Sequence, residues 1–446
     1  MKKIFQYIML AVVTLVMASC TSDIEEPTAT TGKNNVQLVV GEFPAFGDSQ
    51  TRAIGTTDPG KTSWAEGDEL LLAMTSKTFG TKYAAFKYNG SSWELASGEL
   101  SYKEDEVPTF PHVYYAPNYK WEAGELVLKE GKVAGTDEYI EGTAYTRNGE
   151  AIIVEFTAAT RKYSRLRIAT MPNKPITVDI NQYTPAGSSD MKCDQNYALT
   201  SDEKGNAYLY GTFENNSEVT VKYRGASLAT HKFSKRTENA KSYALDATVI
   251  SANSAEEIKS AIEQKVADGK TTIRLNLAPN AGTDEFMAIR EAIKGANDEG
   301  TIELTIIGVE TIPEEAFKRM SQLKSVKMPN VKEIKKYAFK ECQYLTVVEA
   351  PSLNKLYSGA FNKCNLLSKL TFGPINYADA RYWQIFEDIT PNIDLILSDY
   401  QKEMIETDDN LYTANNDIDY ADSNKHWNKN FLGREFKSIT CRFKVE

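Results

Sequence analysis

TIPEEAFKRMSQLKSVKMPNVK (311–332), EIKKYAFKECQYLTVVEAPSLN (333–354) and KLYSGAFNKCNLLSKLTFG (355–373) repeat one pattern with a period of 22 residues. The pair Ala-Phe returns at Ala316-Phe317, Ala338-Phe339 and Ala360-Phe361. Around it run apolar columns: Ile312, Ile334 and Leu356; Met320, Cys342 and Cys364; Leu323, Leu345 and Leu367; Val326, Val348 and Leu370; Met328, Ala350 and Phe372. So many columns in step over three turns mark a coil of stacked units, each of which buries its apolar face only against its neighbours.

This period and its leucine-like columns read as a leucine-rich repeat. The frame I-x-x-x-A-F-x-x-C-x-x-L-x-x-V-x-x-P resembles the bacterial surface-antigen class of such repeats. Three units leave both ends of a coil open, so flanking segments are expected to cap it. Ahead lie two helix-then-strand units. Ser254 and Glu257 form a capping-box pattern before Ile258, Ala261, Ile262 and Val266, and the strand Ile273, Leu275, Leu277 follows. The second unit runs Phe286, Ile289, Ile293, then Ile302, Leu304, Ile306, and 22 residues before Val326 and Met328 stand Leu304 and Ile306. Behind lie Ile393 to Leu397 and Phe436 to Cys441, with an acidic stretch from Thr407 to Asn424 between them.

Alternation along each strand turns Val326 and Met328 inward and Ser325 and Lys327 outward. Stacking then predicts two exposed ladders, Glu303-Ser325-Val347-Lys369 and Thr305-Lys327-Glu349-Thr371, on a concave face. They mix charge, hydroxyl and apolar groups, with no aromatic platform for sugars and no arginine fork for phosphate, a surface suited to a protein partner. Residues 311–373 carry 11 Lys/Arg against 5 Asp/Glu, an excess that either steers an acidic partner or only keeps the coil soluble. Cys342 and Cys364 occupy equivalent positions of adjacent turns and read as small buried hydrophobes, with a disulfide as the alternative. Cys193 and Cys441 have no partner that the sequence names.

Upstream, the period falls to two. Val36 to Val40, Glu69 to Met74, Tyr83 to Tyr88 and Trp93 to Leu95 alternate between turn clusters, as do Leu166 to Ala169, Ile176 to Ile180, Ala207 to Tyr210 and Val219 to Tyr223. Such spacing predicts two all-β sandwiches that meet near Thr160. Asn89-Gly90 signals a tight hairpin in which both residues tolerate positive φ. Thr51-Arg52-Ala53 followed by Trp64-Ala65-Glu66-Gly67-Asp68 resembles the opening motif of the fimbrillin family, and His112 to Pro117 fits its later strand. Thr200 to Tyr208 and Lys241 to Leu245 are similar to the second fimbrillin domain. The resemblance implies two transthyretin-like sandwiches on a surface lipoprotein, Arg52 as a candidate processing site, and fimbrial subunits as partners. Trp64 is expected to cover a sandwich end rather than stack on a sugar.

Lys2 and Lys3, an apolar run from Ile8 to Met17, and Met17-Ala18-Ser19-Cys20 have the layout of a bacterial lipoprotein leader. Residues 1–19 would be removed, Cys20 would carry the lipid, and 20–35 would be a flexible tether. Asp23, Glu25 and Glu26 resemble a surface-export signal and equally serve solubility. Without the leader the chain holds 51 − 2 = 49 basic and 61 acidic residues, a poor nucleic-acid binder. Three scattered histidines, His112, His231 and His426, rule out the usual local zinc spacings. No nucleophile elbow or phosphate loop occurs, and no cofactor is implied. Asp408, Asp409, Asp417, Asp419 and Asp422 could face a hard cation but lack the turn glycine of a calcium loop.

The expected architecture is therefore multidomain: two all-β, transthyretin/Ig-like sandwich domains (36–160 and 161–250), then a short α/β leucine-rich-repeat solenoid with caps (251–310, 311–375 and 376–446). The expected role is a non-enzymatic adhesin, lipid-anchored in the bacterial outer membrane and exposed at the cell surface.

Overall fold

The computed structural model describes residues 37–46, 60–103, 105–147, 151–157, 161–252, 254–296, 298–378, 384–400, 430–432 and 434–443. The leader, the tether with Cys20, Arg52, Thr160 and the acidic stretch from Thr407 to Asn424 lie outside these residues. The chain is mostly β, with two α-helices among the described residues, neither long and apolar enough to cross a membrane.

In the first β-rich segment, Gln37–Val40 pairs in parallel with Ala151–Glu155, which pairs antiparallel with Thr143–Arg147. A five-stranded antiparallel sheet runs in the spatial order Trp93–Gly98, Gly80–Tyr88, Glu69–Ser76, Thr109–Tyr115, Ile140–Glu141. Leu38, Ile152 and Val154 from the first sheet share one core with Leu70, Leu72, Met74, Phe86 and Val113 from the second. Trp64 closes that core edge-on against Phe43, Trp93 and Tyr115, and its indole N–H donates to the Gly41 carbonyl at 2.8 Å. The Asn89-Gly90 hairpin is present but works differently from the two-residue turn expected. Only Gly90 takes positive φ, while the Asn89 side-chain oxygen accepts the Ser91 and Ser92 N–H groups and widens the loop to Asn89–Ser92.

The second β-rich segment has two four-stranded sheets. One runs Tyr183–Pro185, Asn206–Phe213, Ser164–Ala169, Ser242–Asp246; the other runs Gln195–Thr200, Pro175–Ile180, Glu218–Tyr223, Ala226–Lys232. Leu166, Ile168 and Leu209 face Ile176, Val178, Val219 and Val221 across one core. Strand Ser164–Ala169 is buried on both faces despite Arg165 and Arg167, because its outer side lies against the first segment. The Arg165 guanidinium sits 4.8 Å from the Phe46 ring centre, and Arg161 lies over the same ring at 4.0 Å. Arg161 makes a two-point ion pair with buried Glu138 at 3.0 and 3.2 Å, and donates to the Pro44 carbonyl. Tyr163 donates to the same carboxylate. Burial, reinforced by the Glu138 charge, pushes the Tyr163 phenol well above its ordinary value and keeps the donated proton in place.

Helix α1 (Ala255–Ala267) starts where the Ser254 hydroxyl accepts the Glu257 N–H at 3.2 Å, and buries Ile258 and Ile262, four residues apart. Helix α2 (Thr283–Lys294) starts where Glu285 accepts the Gly282 N–H at 2.8 Å, and buries Phe286, Ile289 and Ile293. The strands that follow the helices join a parallel sheet of eight, in the order Ile250–Ser251, Thr272–Asn276, Ile302–Ile307, Leu323–Lys327, Val347–Ala350, Lys369–Phe372, Asp394–Ser398, Ser438–Phe443. A second parallel ladder links Thr311–Ile312, Glu333–Ile334, Lys355–Leu356 and Tyr377–Ala378. The backbone repeats as strictly as the side chains: Arg319, Glu341 and Lys363 take φ near +60°, as do Glu315, Tyr337 and Gly359. Glycine stands at the last position because a side chain there would meet the Tyr337 ring at 2.3 Å.

Between the two ladders the phenylalanines form a column. Phe317, Phe339, Phe361 and Phe386 stack nearly parallel at 5.2, 5.4 and 5.8 Å between ring centres. That spacing follows from strands roughly 4.8 Å apart, which leave offset stacking as the accessible arrangement. Edge-on rings end the column, Phe286 at 76° to Phe317 and Phe436 at 86° to Phe386.

Candidate protein-binding face

The parallel register places the outward residues of the eight-stranded sheet in two rows. One runs Thr272, Glu303, Ser325, Val347, Lys369, Asp394; the other runs Arg274, Thr305, Lys327, Glu349, Thr371, Ile396. All eight residues of the anticipated ladders thus stand side by side, in the order that alternation and stacking dictate. Lys327 and Lys369 are exposed, whereas Glu303, Ser325, Val347, Glu349 and Thr371 are half-buried.

Three expectations need correction. Thr305 is not on an open surface: it is 7% exposed, because the second β-rich segment packs over the start of the face. Strands Ala226–Lys232 and Ser242–Asp246 form the far wall of a cleft of about 550 Å³, whose near wall carries Glu303, Thr305, Ser325 and Lys327. Val347, Glu349, Lys369 and Thr371 lie beyond that cleft. The sequence's eight residues therefore divide into four that line the cleft and four that lie beyond it.

The second correction concerns charge. The net excess stands, but many of the basic side chains are paired locally with carboxylates about one turn away: Arg319 meets Glu341 at 2.6 Å, Lys332 meets Glu310 at 2.7 Å, Lys355 meets Glu333 at 2.7 Å and Lys327 meets Glu349 at 3.5 Å. Lys324 reaches Glu303 at 2.8 Å. Hydrogen bonds from Lys335 and Lys355 hold the Glu333 carboxyl below its ordinary range. Exposed pairs of this kind are screened by solvent and contribute little to stability. Lys369, on the outward side of its strand, is exposed and makes no ion pair among the described residues.

The third is Arg274. The sequence suggested a face without an arginine fork, yet Arg274 heads the second row, paired in register with Thr305. Thirty-one positions separate them, 305 − 274, because α2 is inserted between their strands, so a search at 22 misses the relation.

Inside the coil, Cys342 and Cys364 are buried and not joined to each other. Their thiols donate to the Phe317 and Phe339 carbonyls at 2.9 and 3.0 Å, and burial pushes the Cys364 thiol well above its ordinary value. They behave as column residues. Cys193 is exposed, and Cys441 lies in the last strand of the sheet.

Residues 301–397 match the BspA-type leucine-rich repeat region in six copies. Among curated proteins and among solved structures, no match to the chain is found. The leucine-rich region thus extends past the three turns with a visible period, taking in strands Ile302–Ile307 and Asp394–Ser398. The last step was hidden by spacing, since Phe386 follows Phe361 by 386 − 361 = 25 residues. Among the described residues no cluster of His, Cys, Asp and Glu could hold a metal ion.

Proposed function

We propose that the protein is a non-enzymatic adhesin of the bacterial surface. Cys20 carries the lipid that anchors it in the outer membrane, two fimbrillin-like β-sandwiches (36–160 and 161–250) raise it, and the capped solenoid (251–446) holds a protein partner on its concave face. The observation that carries this reading is the pair of side-chain rows on the leucine-rich region, mixed in chemistry and open beyond Val347. Leucine-rich coils use such extended concave surfaces for binding.

Protease treatment of intact cells tests the display. An epitope within 311–373 is expected to be lost from intact cells, and a Cys20→Ala variant to be released or mislocalised. Protection of the epitope until the outer membrane is broken would place the module inside the envelope and end the adhesin reading. Lys327→Glu combined with Lys369→Glu tests the face. Adherence is expected to fall several-fold through lost electrostatic complementarity, with thermal unfolding little changed. Undiminished adherence at normal surface expression would move the binding site elsewhere.

An accessory or tip subunit of a fimbria is the second reading. It draws on Gln37–Val40, an edge strand that precedes Arg52 in the chain and buries Leu38 in the first core. A cut at Arg52 would leave that strand held by its pairing and by its buried side chains alone, open to exchange with a neighbouring subunit. Detergent-resistant ladders that vanish in an Arg52→Ala variant would favour it.

A further inference from the structure

The cleft between the second β-rich segment and the head of the leucine-rich face contains one cation whose hydrogen bonds are incomplete. The Arg274 side chain is 11% exposed. Its Nε donates to the Leu228 carbonyl at 2.6 Å, which fixes the plane of the guanidinium against strand Ala226–Lys232. Among the described residues its terminal nitrogens have no hydrogen-bond partner, and the Asp246 carboxylate stands 3.9 Å away, beyond hydrogen-bonding distance. That Asp246 oxygen is already engaged, accepting the Thr248 N–H at 2.9 Å and the Thr248 hydroxyl at 2.6 Å. The other acid of the cleft, Glu303, is paired with Lys324 at 2.8 Å. Burial holds the guanidinium below its ordinary value, against the opposing pull of Asp246 and Glu303.

The surroundings supply what a bound anion needs. Thr305 and Ser325 bring hydroxyl donors, Lys327 a second cation, and Leu228, Phe233 and Tyr243 an apolar wall that strengthens any ion pair formed beside it. The volume of about 550 Å³ falls within the range of clefts that enclose a small ligand or a few residues of a peptide. A planar fork with its inner nitrogen anchored and its outer nitrogens unfilled suits a carboxylate approached in two-point fashion.

We propose that this cleft receives an acidic peptide segment of the protein partner, with a glutamate or aspartate carboxylate seated on the outer nitrogens of Arg274. The inference rests on the concave face as the binding surface and gives that surface its specificity element. The rows beyond Val347 then supply area, while the cleft supplies the anchor.

A fluorescein-labelled tetraglutamate peptide, capped at both ends, tests it by anisotropy titration on the full chain at low ionic strength, with capped tetraglutamine as control. Tetraglutamate is expected to bind and tetraglutamine not. Arg274→Gln should weaken binding roughly tenfold to a hundredfold, the range for a hydrogen-bonded charge. Arg274 also ties the cleft walls together, so a second variant is needed. Ser227→Trp fills the cleft from the exposed side of the far wall, leaves Arg274 intact, and should weaken binding comparably. Lys363→Gln, outside the cleft, should not. Equal binding of the two peptides, absence of tetraglutamate binding, or tetraglutamate affinity unchanged by Arg274→Gln and Ser227→Trp overturns the proposal. If adherence still falls with Lys327→Glu and Lys369→Glu while the peptide result is negative, the cleft assignment alone fails and the concave-face reading stands.

Discussion

Phe339→Ala is expected to lower the free energy of unfolding by about 3–5 kcal/mol, the usual cost of truncating a fully buried phenylalanine. Phe339 has no exposed surface and stacks on both neighbours, at 5.2 Å to Phe317 and 5.4 Å to Phe361. A coil is stable through the interfaces between adjacent units, and this residue belongs to two of them. The cavity would open in the middle of the column, where parallel strands fixed on both sides prevent collapse. Urea denaturation followed by near-ultraviolet signal should show a lower midpoint, and a two-step transition if the halves uncouple. An unchanged midpoint would mean that the column does not hold the turns together.

Glu138→Gln is the second large effect, again about 3–5 kcal/mol, because it strands a buried guanidinium. Arg161 is 0% exposed and Glu138 4%, so water cannot replace the lost partner. The amide offers one acceptor oxygen in place of two, so the guanidinium loses its counter-charge and one hydrogen bond together. Adding Arg161→Met to Glu138→Gln removes the stranded charge and should recover a large part of the loss, since an apolar replacement of a buried ion pair is often near neutral. A double variant as unstable as the single one would show that the contacts of Arg161 with Pro44 and Phe46, rather than its charge, join the two β-rich segments.

What the sequence reveals and conceals follows from the range of the interactions involved. The turns around Phe317, Phe339 and Phe361 were legible because identical neighbours impose identical demands at a fixed interval. The same rule gave both side-chain rows, since parallel stacking converts a period of 22 directly into adjacency. It failed wherever the interval changed: at Phe386 through three extra residues, and at Arg274 through an inserted helix. Thr305 was misplaced for a different reason. Its exposure depends on where strands Ala226–Lys232 and Ser242–Asp246 dock, which no local pattern encodes. Arg161 and Glu138 are equally silent, two ordinary charged residues made exceptional only by the packing of one β-rich segment on the other. Ile307 tells the same story, a repeat-strand residue whose side chain belongs to the core of the preceding segment.

The Ile307 contact ties the head of the coil to the preceding segment. Each turn lengthens the rows by one strand spacing, about 4.8 Å, so five steps between the six strands of each row give a reach of roughly 24 Å. Ile307 and Arg274 fasten only the head of the coil. Duplication or loss of a 22-residue unit downstream would therefore alter the span while leaving the jaw at the head undisturbed. Reach and grip are separately heritable, and unequal recombination within the repeats can tune one without resetting the other.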